Sequence, residues 1–211
     1  VTDILRHKLP SRHCGAGEGE GKEPVKIIAL IESAEAIMNL SSICAASPYL
    51  SGLIFAAEDF ALDLSLTRTP SLTEFLYARS AIATAARAFS LPSTIDLVCT
   101  SFRGESGLKT LEEECIQGRG LGFNGKQCIH PSQVPVVQSA FAPSKEEVEW
   151  AMRVVVGDEK ADKAGRGAWT LEGKMIDAPV VGKARATVER AGMCGIDVDA
   201  VRDRWRDQEP E

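Results

Sequence analysis

The chain has six cysteines (Cys14, Cys44, Cys99, Cys115, Cys128 and Cys194) but no Cys-x-x-Cys pair. Their scatter excludes a zinc knuckle and a disulfide framework. It leaves most of them as small apolar side chains in a reducing compartment, with Cys128 alone placed near a site. Basic blocks are also missing, and a net charge of −6 argues against nucleic acid or an anionic membrane surface as partner. No apolar run approaches the length of a membrane-spanning helix, and the start Val1-Thr2-Asp3-Ile4-Leu5-Arg6 lacks a secretory pattern, so a soluble chain is expected. What is present, 44% hydrophobic and 26% charged residues in 211, suffices for one sizeable core.

Two acids stand at the ends of short apolar runs. Glu32 closes Ile27-Ile28-Ala29-Leu30-Ile31, and Asp59 closes Leu53-Ile54-Phe55-Ala56-Ala57-Glu58. Runs apolar on both faces fit buried parallel strands, and a charge at such a strand's carboxyl end must be paired, hydrated or bound to a cation. Catalytic groups of parallel α/β barrels occupy that edge. Two hard oxygen ligands, with water or substrate completing the shell, suit Mg²⁺ better than zinc. The same acids could instead cap helices or pair with arginine.

Strand and helix signals alternate: strand 25–31, helix 33–46, strand 52–57, helix 71–89 opening on a capping-box-like Pro70-Ser71-Leu72-Thr73-Glu74, strand 94–100, helix 106–117, strand 122–129 and helix 132–140. Four β-α units in a row predict a parallel sheet. Before them, a short helix over 2–8 and an exposed Gly/Glu/Lys-rich loop over 11–23 are expected. After them the pattern turns to an amphipathic helix over 144–156, a hairpin-like segment over 165–173 and a last helix from 178. A charged tail from 197 reads as disordered.

Four phrases in this order carry a resemblance: Ala29-Leu30-Ile31-Glu32-Ser33-Ala34, Ala56-Ala57-Glu58-Asp59-Phe60, Gly125-Lys126-Gln127-Cys128-Ile129-His130-Pro131-Ser132-Gln133, and Gly173-Lys174-Met175-Ile176-Asp177-Ala178-Pro179. Over residues 25–191 the chain resembles the citrate lyase beta subunit family, most closely its citramalyl-CoA and malyl-CoA lyase-like branch. The resemblance implies an α/β fold, the C-terminal half of a TIM (β/α)₈ barrel, with the last four strands in 1–143, a helical extension in 144–196 and a charged tail in 197–211. It implies a Mg²⁺-dependent lyase that cleaves a carbon–carbon bond of a 3-hydroxyacyl-CoA to acetyl-CoA and a 2-oxo acid. It also implies a homo-oligomer, trimeric in the family, with no nucleic-acid or membrane partner.

By the same resemblance Glu32 and Asp59 hold Mg²⁺, with Glu32 also facing substrate, and Gln127 and Cys128 offer backbone groups to the acyl-CoA. Asp177 matches the family's acid/base, which reaches a neighbouring subunit's site. Asp177 also reads as the N-cap of the last helix, directly before Ala178-Pro179. His130 reads as satisfying local backbone groups. The family's early Arg-Ser-Leu-Phe-Pro-like strand, Asp-Leu-Glu-Asp-like phrase and substrate-carboxylate arginine have no counterpart before Val25. The chain is therefore expected to be a fragment, a truncated gene model or a degenerate relative, with little activity alone. A mitochondrial or cytoplasmic location stays open. Alternatives are a non-catalytic subunit assembling with full-length partners, and an aldolase acting on free 2-oxo acids; the extension bearing Asp177 speaks against the aldolase.

Overall fold

The computed structural model describes Asp3, Ile4 and residues 25–211. The helix expected over 2–8, apart from the helical Asp3 and Ile4, and the loop expected over 11–23 lie outside the described residues. The chain divides into two compact units, 1–141 and 142–211, each with its own apolar cluster rather than the single core that composition implied.

The first unit is a four-stranded parallel sheet in the order β1 (Ile27–Ile31), β2 (Leu50–Phe55), β3 (Ser93–Asp96), β4 (Gly125–Lys126). Helices α1 (Ala34–Met38) and α2 (Leu40–Ala45) follow β1, α3 (Ala57–Leu64) and α4 (Leu76–Ala88) follow β2, α5 (Gly104–Gly120) follows β3, and α6 (Gln133–Phe141) follows β4. Ser33 caps α1 by accepting the Ala36 N–H at 3.1 Å. The single helix expected over 33–46 is broken at Asn39, whose side chain donates to the Glu35 carbonyl at 2.9 Å. The capping box expected at Ser71 is displaced. Leu72 adopts a left-handed φ of 55°, and the Glu74 carboxylate instead accepts from the Thr69 N–H (2.6 Å) and hydroxyl (2.7 Å).

Ile31, Leu53, Phe55 and Leu97 are fully buried. Phe55 makes edge contacts with Phe60 (5.4 Å between centroids) and Phe75 (5.7 Å), an arrangement aromatic rings prefer over face-to-face stacking. Strand β1 is not apolar-buried on both faces as expected. Among the described strands it lies at the edge, and its alternate residues Ile28 and Leu30 remain 41% and 52% exposed. Strands β3 and β4 are shorter than the expected 94–100 and 122–129, because the ladder ends at the charged residues Asp96 and Lys126.

In the second unit, Ser144 and Glu147 form a reciprocal capping box that starts α7 (Lys145–Lys163). Antiparallel β5 (Trp169–Leu171) and β6 (Lys174–Ile176) are joined at Glu172 and Gly173, with φ of 52° and 73°, the conformation of a two-residue hairpin turn. The Trp169 ring lies against Gly157 of α7 so closely that a Cβ there would come within 2.4 Å of it. Helix α8 (Ala178–Met193) follows. The tail expected to be disordered is ordered: Asp197 caps α9 (Val198–Trp205), and Arg202 and Arg204 bind Glu159 and Glu149 of α7. Glu211 exchanges two backbone hydrogen bonds with Thr170, each 3.1 Å. Charges that look like a solvated tail are thus neutralised by acids of α7, distant in sequence.

Candidate functional site

The two acids singled out in the sequence follow adjacent parallel strands at the same, carboxyl, end of the sheet. Parallel pairing sets Ile31 beside Phe55, and the Ala56 N–H donates to the Ile31 carbonyl at 3.0 Å, so Glu32 and the start of α3 leave the carboxyl ends of adjacent strands together. Asp59 does not close the strand itself, which stops at Phe55; it sits in the first turn of α3, where the helix dipole favours a carboxylate. Both acids are exposed, so hydration is open to them as well as a cation.

Among the described residues neither carboxylate has a hydrogen-bond or ion-pair partner, whereas the other acids of α3 are engaged. Glu58 binds Arg68 at 2.5 Å, and Asp63 accepts the Ala34 N–H at 2.8 Å. Among the described residues, helix capping and arginine pairing, the alternatives open for Glu32 and Asp59, are therefore both unused. Two free carboxylates fit a hard divalent cation that keeps water or substrate oxygens in its other positions. No group of three or more His, Cys, Asp or Glu side chains able to hold a metal occurs among the described residues.

Beside this edge, Gln127 extends the β4 pairing by donating its N–H to the Asp96 carbonyl at 3.0 Å, which leaves its carbonyl and side chain available to a ligand but not its N–H. Cys128 is exposed, and partial burial raises its thiol pKa above the ordinary value. His130 behaves as expected: its Nδ1 accepts the Ser132 N–H at 3.2 Å, and its ring stacks on Phe102 at 5.4 Å. Asp177, in the second unit, accepts the Val180 N–H at 3.2 Å and caps α8, with Pro179 in the first turn.

Residues not singled out in the sequence hold the edge in shape. Gln133 is fully buried; its amide donates to the Cys99 carbonyl (3.0 Å), and its Oε1 accepts the Ile129 N–H (2.8 Å), tying together the loops that leave β3 and β4. Behind the sheet lies a chain of charges. Arg79 grips Asp96 with two hydrogen bonds, 3.0 and 2.6 Å, at 2% and 0% side-chain exposure. Lys126 Nζ lies 3.8 Å from Asp96 and 2.9 Å from Glu114, both ion pairs and neither a hydrogen bond. Arg68 then joins Glu114 (2.9 Å) to Glu58 and to the Val98 carbonyl (3.0 Å). Desolvation works to lower the Arg68 pKa, but the bonds to Glu58 and Glu114 outweigh it and leave the guanidinium above its ordinary value. Three cations thus face three carboxylates, which satisfies the rule that buried charges be paired. The available sequence signal was Asp96, a charge inside an otherwise apolar run.

The family model described as HpcH/HpaI aldolase/citrate lyase matches residues 7–131, more than half of the chain. The chain belongs to that family. It is 35% identical over 178 residues to human mitochondrial citramalyl-CoA lyase, an alignment covering 81% of this chain and 51% of that protein. It is 37% identical over 178 residues to the Escherichia coli K12 citrate lyase subunit beta, covering 83% of this chain and 58% of that one. Among solved structures, CitE from Mycobacterium tuberculosis in complex with magnesium, acetoacetate and coenzyme A superposes with a TM-score of 0.64 at 35% identity, over 79% of this chain and 61% of that one. The chain spans about half the length of the curated relatives it matches. Its four parallel βα units are thus part of the HpcH/HpaI barrel-type α/β fold, and the candidate cation pair lies at the carboxyl edge where such barrels work.

Proposed function

We propose that the protein to which this chain belongs is a Mg²⁺-dependent carbon–carbon lyase acting on a 3-hydroxyacyl-CoA of the citramalyl or malyl type and yielding acetyl-CoA and a 2-oxo acid. The observation that carries this reading is that Glu32 and Asp59 both follow the carboxyl ends of adjacent parallel strands, each exposed and without a partner among the described residues. It is supported by the magnesium and coenzyme A in the M. tuberculosis structure. When bound, Mg²⁺ supplies Lewis-acid polarisation of the oxygen that becomes the 2-oxo group. Glu32 and Asp59 hold the cation's protein side, and Glu32 also borders the substrate. The Gln127 carbonyl and Cys128 line the acyl-CoA path.

Asp177 exchanges the proton at the acetyl carbon, acting on a neighbouring subunit of a homo-oligomer; its hydrogen bond to the Val180 N–H orients the carboxylate without consuming its second oxygen. A mitochondrial or cytoplasmic location belongs to the same proposal. It is supported by five described cysteines that are all free and by the mitochondrial human relative. No helix among the described residues is long and apolar enough to cross a membrane.

The test uses a chain extended to the relatives' length and assays acetyl-CoA release from citramalyl-CoA and malyl-CoA. Asp59→Ala is expected to abolish Mg²⁺-dependent release with the fold intact; undiminished turnover in that variant ends the assignment. Mixing Asp177→Asn with Asp59→Ala subunits is expected to restore part of the activity, and a mixture that exchanges subunits yet stays inactive refutes action in trans. A second reading, a non-catalytic subunit that assembles with longer partners, is favoured by the exposed apolar face of β1. That reading predicts stable co-purification with a full-length partner and no acetyl-CoA release by the 211-residue chain in either state.

A further inference from the structure

Two adjacent carboxylates, Glu58 and Asp59, stand in the first turn of α3, yet only one is free. We propose that Arg68 is a positioning residue that withholds Glu58 from the cation site, so that α3 contributes Asp59 alone. The inference rests on the reading of Glu32 and Asp59 as the cation pair.

Arg68 is built for this task. Its side chain is 17% exposed, and Nη2 is anchored on the Val98 carbonyl at 3.0 Å and on the buried Glu114 at 2.9 Å. Because the guanidinium is planar and rigid, fixing that nitrogen fixes the direction of Nη1, which meets Glu58 Oε1 at 2.5 Å. Glu58 itself is 52% exposed, and among the described residues Arg68 is its one ion-pair partner. Without Arg68, a mobile third carboxylate would stand one residue from Asp59. Carboxylate number selects the cation: two leave an octahedral shell largely to water and substrate, as Mg²⁺ prefers, whereas a third adds the flexible, oxygen-rich surroundings that favour Ca²⁺. Arg68 thereby keeps coordination positions open for substrate. A lysine could not serve, since a single ammonium on a flexible stem does not hold two carboxylates and a carbonyl in one plane.

The test is calorimetric titration of the purified 211-residue chain with Mg²⁺ and with Ca²⁺, and Mn²⁺ binding followed by electron paramagnetic resonance. Arg68→Met is expected to raise Ca²⁺ affinity by about tenfold or more, with a smaller gain for Mg²⁺. Arg68→Met/Glu58→Gln is expected to return both affinities to wild-type values, which a merely structural role for Arg68 would not produce. Glu58→Gln alone is expected to leave Mg²⁺ affinity within about twofold of wild type, and it supplies the test should Arg68→Met fail to fold. A large loss of cation binding in Glu58→Gln would make Glu58 a ligand and overturn the proposal, as would unchanged or weakened Ca²⁺ binding in a folded Arg68→Met chain. A wild-type chain that binds none of the three cations would overturn the cation-site reading itself and this inference with it. Wild-type binding without the predicted variant pattern would overturn the role of Arg68 alone.

Discussion

Replacing Arg79 by methionine is expected to be among the most damaging single changes in the first unit. Arg79 is 2% exposed and Asp96 is not exposed at all, and their two hydrogen bonds are the main compensation for that carboxylate's lost hydration. Once Arg79 is gone, the nearest cation is Lys126 at 3.8 Å, and it already faces Glu114 at 2.9 Å. Breaking a buried pair by removing one partner costs about 3–5 kcal/mol. With a urea m-value of about 2 kcal/mol/M, the midpoint should fall by about 2 M. The assay is urea-dependent hydrogen exchange on peptides covering β3 and β4, whose amides include Asn124 N–H to Thr94 (2.9 Å) and Gln127 N–H to Asp96 (3.0 Å). All three tryptophans, Trp150, Trp169 and Trp205, lie in the second unit, so fluorescence would report on that unit and miss the effect. Arg79→Met/Asp96→Leu removes the orphaned carboxylate as well and should be more stable than Arg79→Met alone. A single-variant shift below about 0.5 M, or a double variant less stable than the single, would refute the account of Asp96 as a charge that depends on Arg79.

Gly118→Ala should also destabilise the first unit, by about 1–3 kcal/mol. A Cβ there would come within 2.4 Å of Asp96 Oδ2, and the buried pair has no room to retreat; a variant as stable as wild type by urea denaturation would show that it does. Cys115 is fully buried, and burial pushes its thiol up to about 11, above its ordinary and unfolded value. Because the folded state holds this proton more tightly, the contribution is complete below the unfolded pKa and is lost as pH rises through about 11. Denaturation midpoints of wild type and Cys115→Ala should converge over that range, and parallel pH profiles would count against it.

The order of strands and helices was legible because the β-α repeat alternates long apolar runs with helical periodicity, and Glu32 and Asp59 were found because they interrupt such runs. What the pattern could not show depends on partners distant in sequence. The sequence pattern extends β3 and β4 past Asp96 and Lys126 because the partners of these charges lie on other elements, Arg79 on α4 and Glu114 on α5. The helix from 198 to 205 looks like a disordered tail in sequence because composition registers charge but not the acids on α7 that neutralise it. The exposure of Ile28 and Leu30 depends on what lies over the sheet, which a strand's own residues do not encode.

The charge chain behind the sheet has a physical logic that could be searched for in sequence. A carboxylate at a helix-facing strand position has no access to water and must find a cation on a helix that crosses behind it. That helix must approach closely enough for a two-point bond, so a residue without a Cβ is needed where a second helix passes over the pair. Asp96 in β3, Arg79 in α4 and Gly118 in α5 satisfy all three conditions, with sequence separations of 17 and 22 that no local periodicity would connect. The chain continues through Lys126 and Glu114 to Arg68, which reaches Glu58 beside the candidate cation pair. The groups that keep the helices seated on the sheet are therefore continuous with the one that decides which carboxylate of α3 stays free.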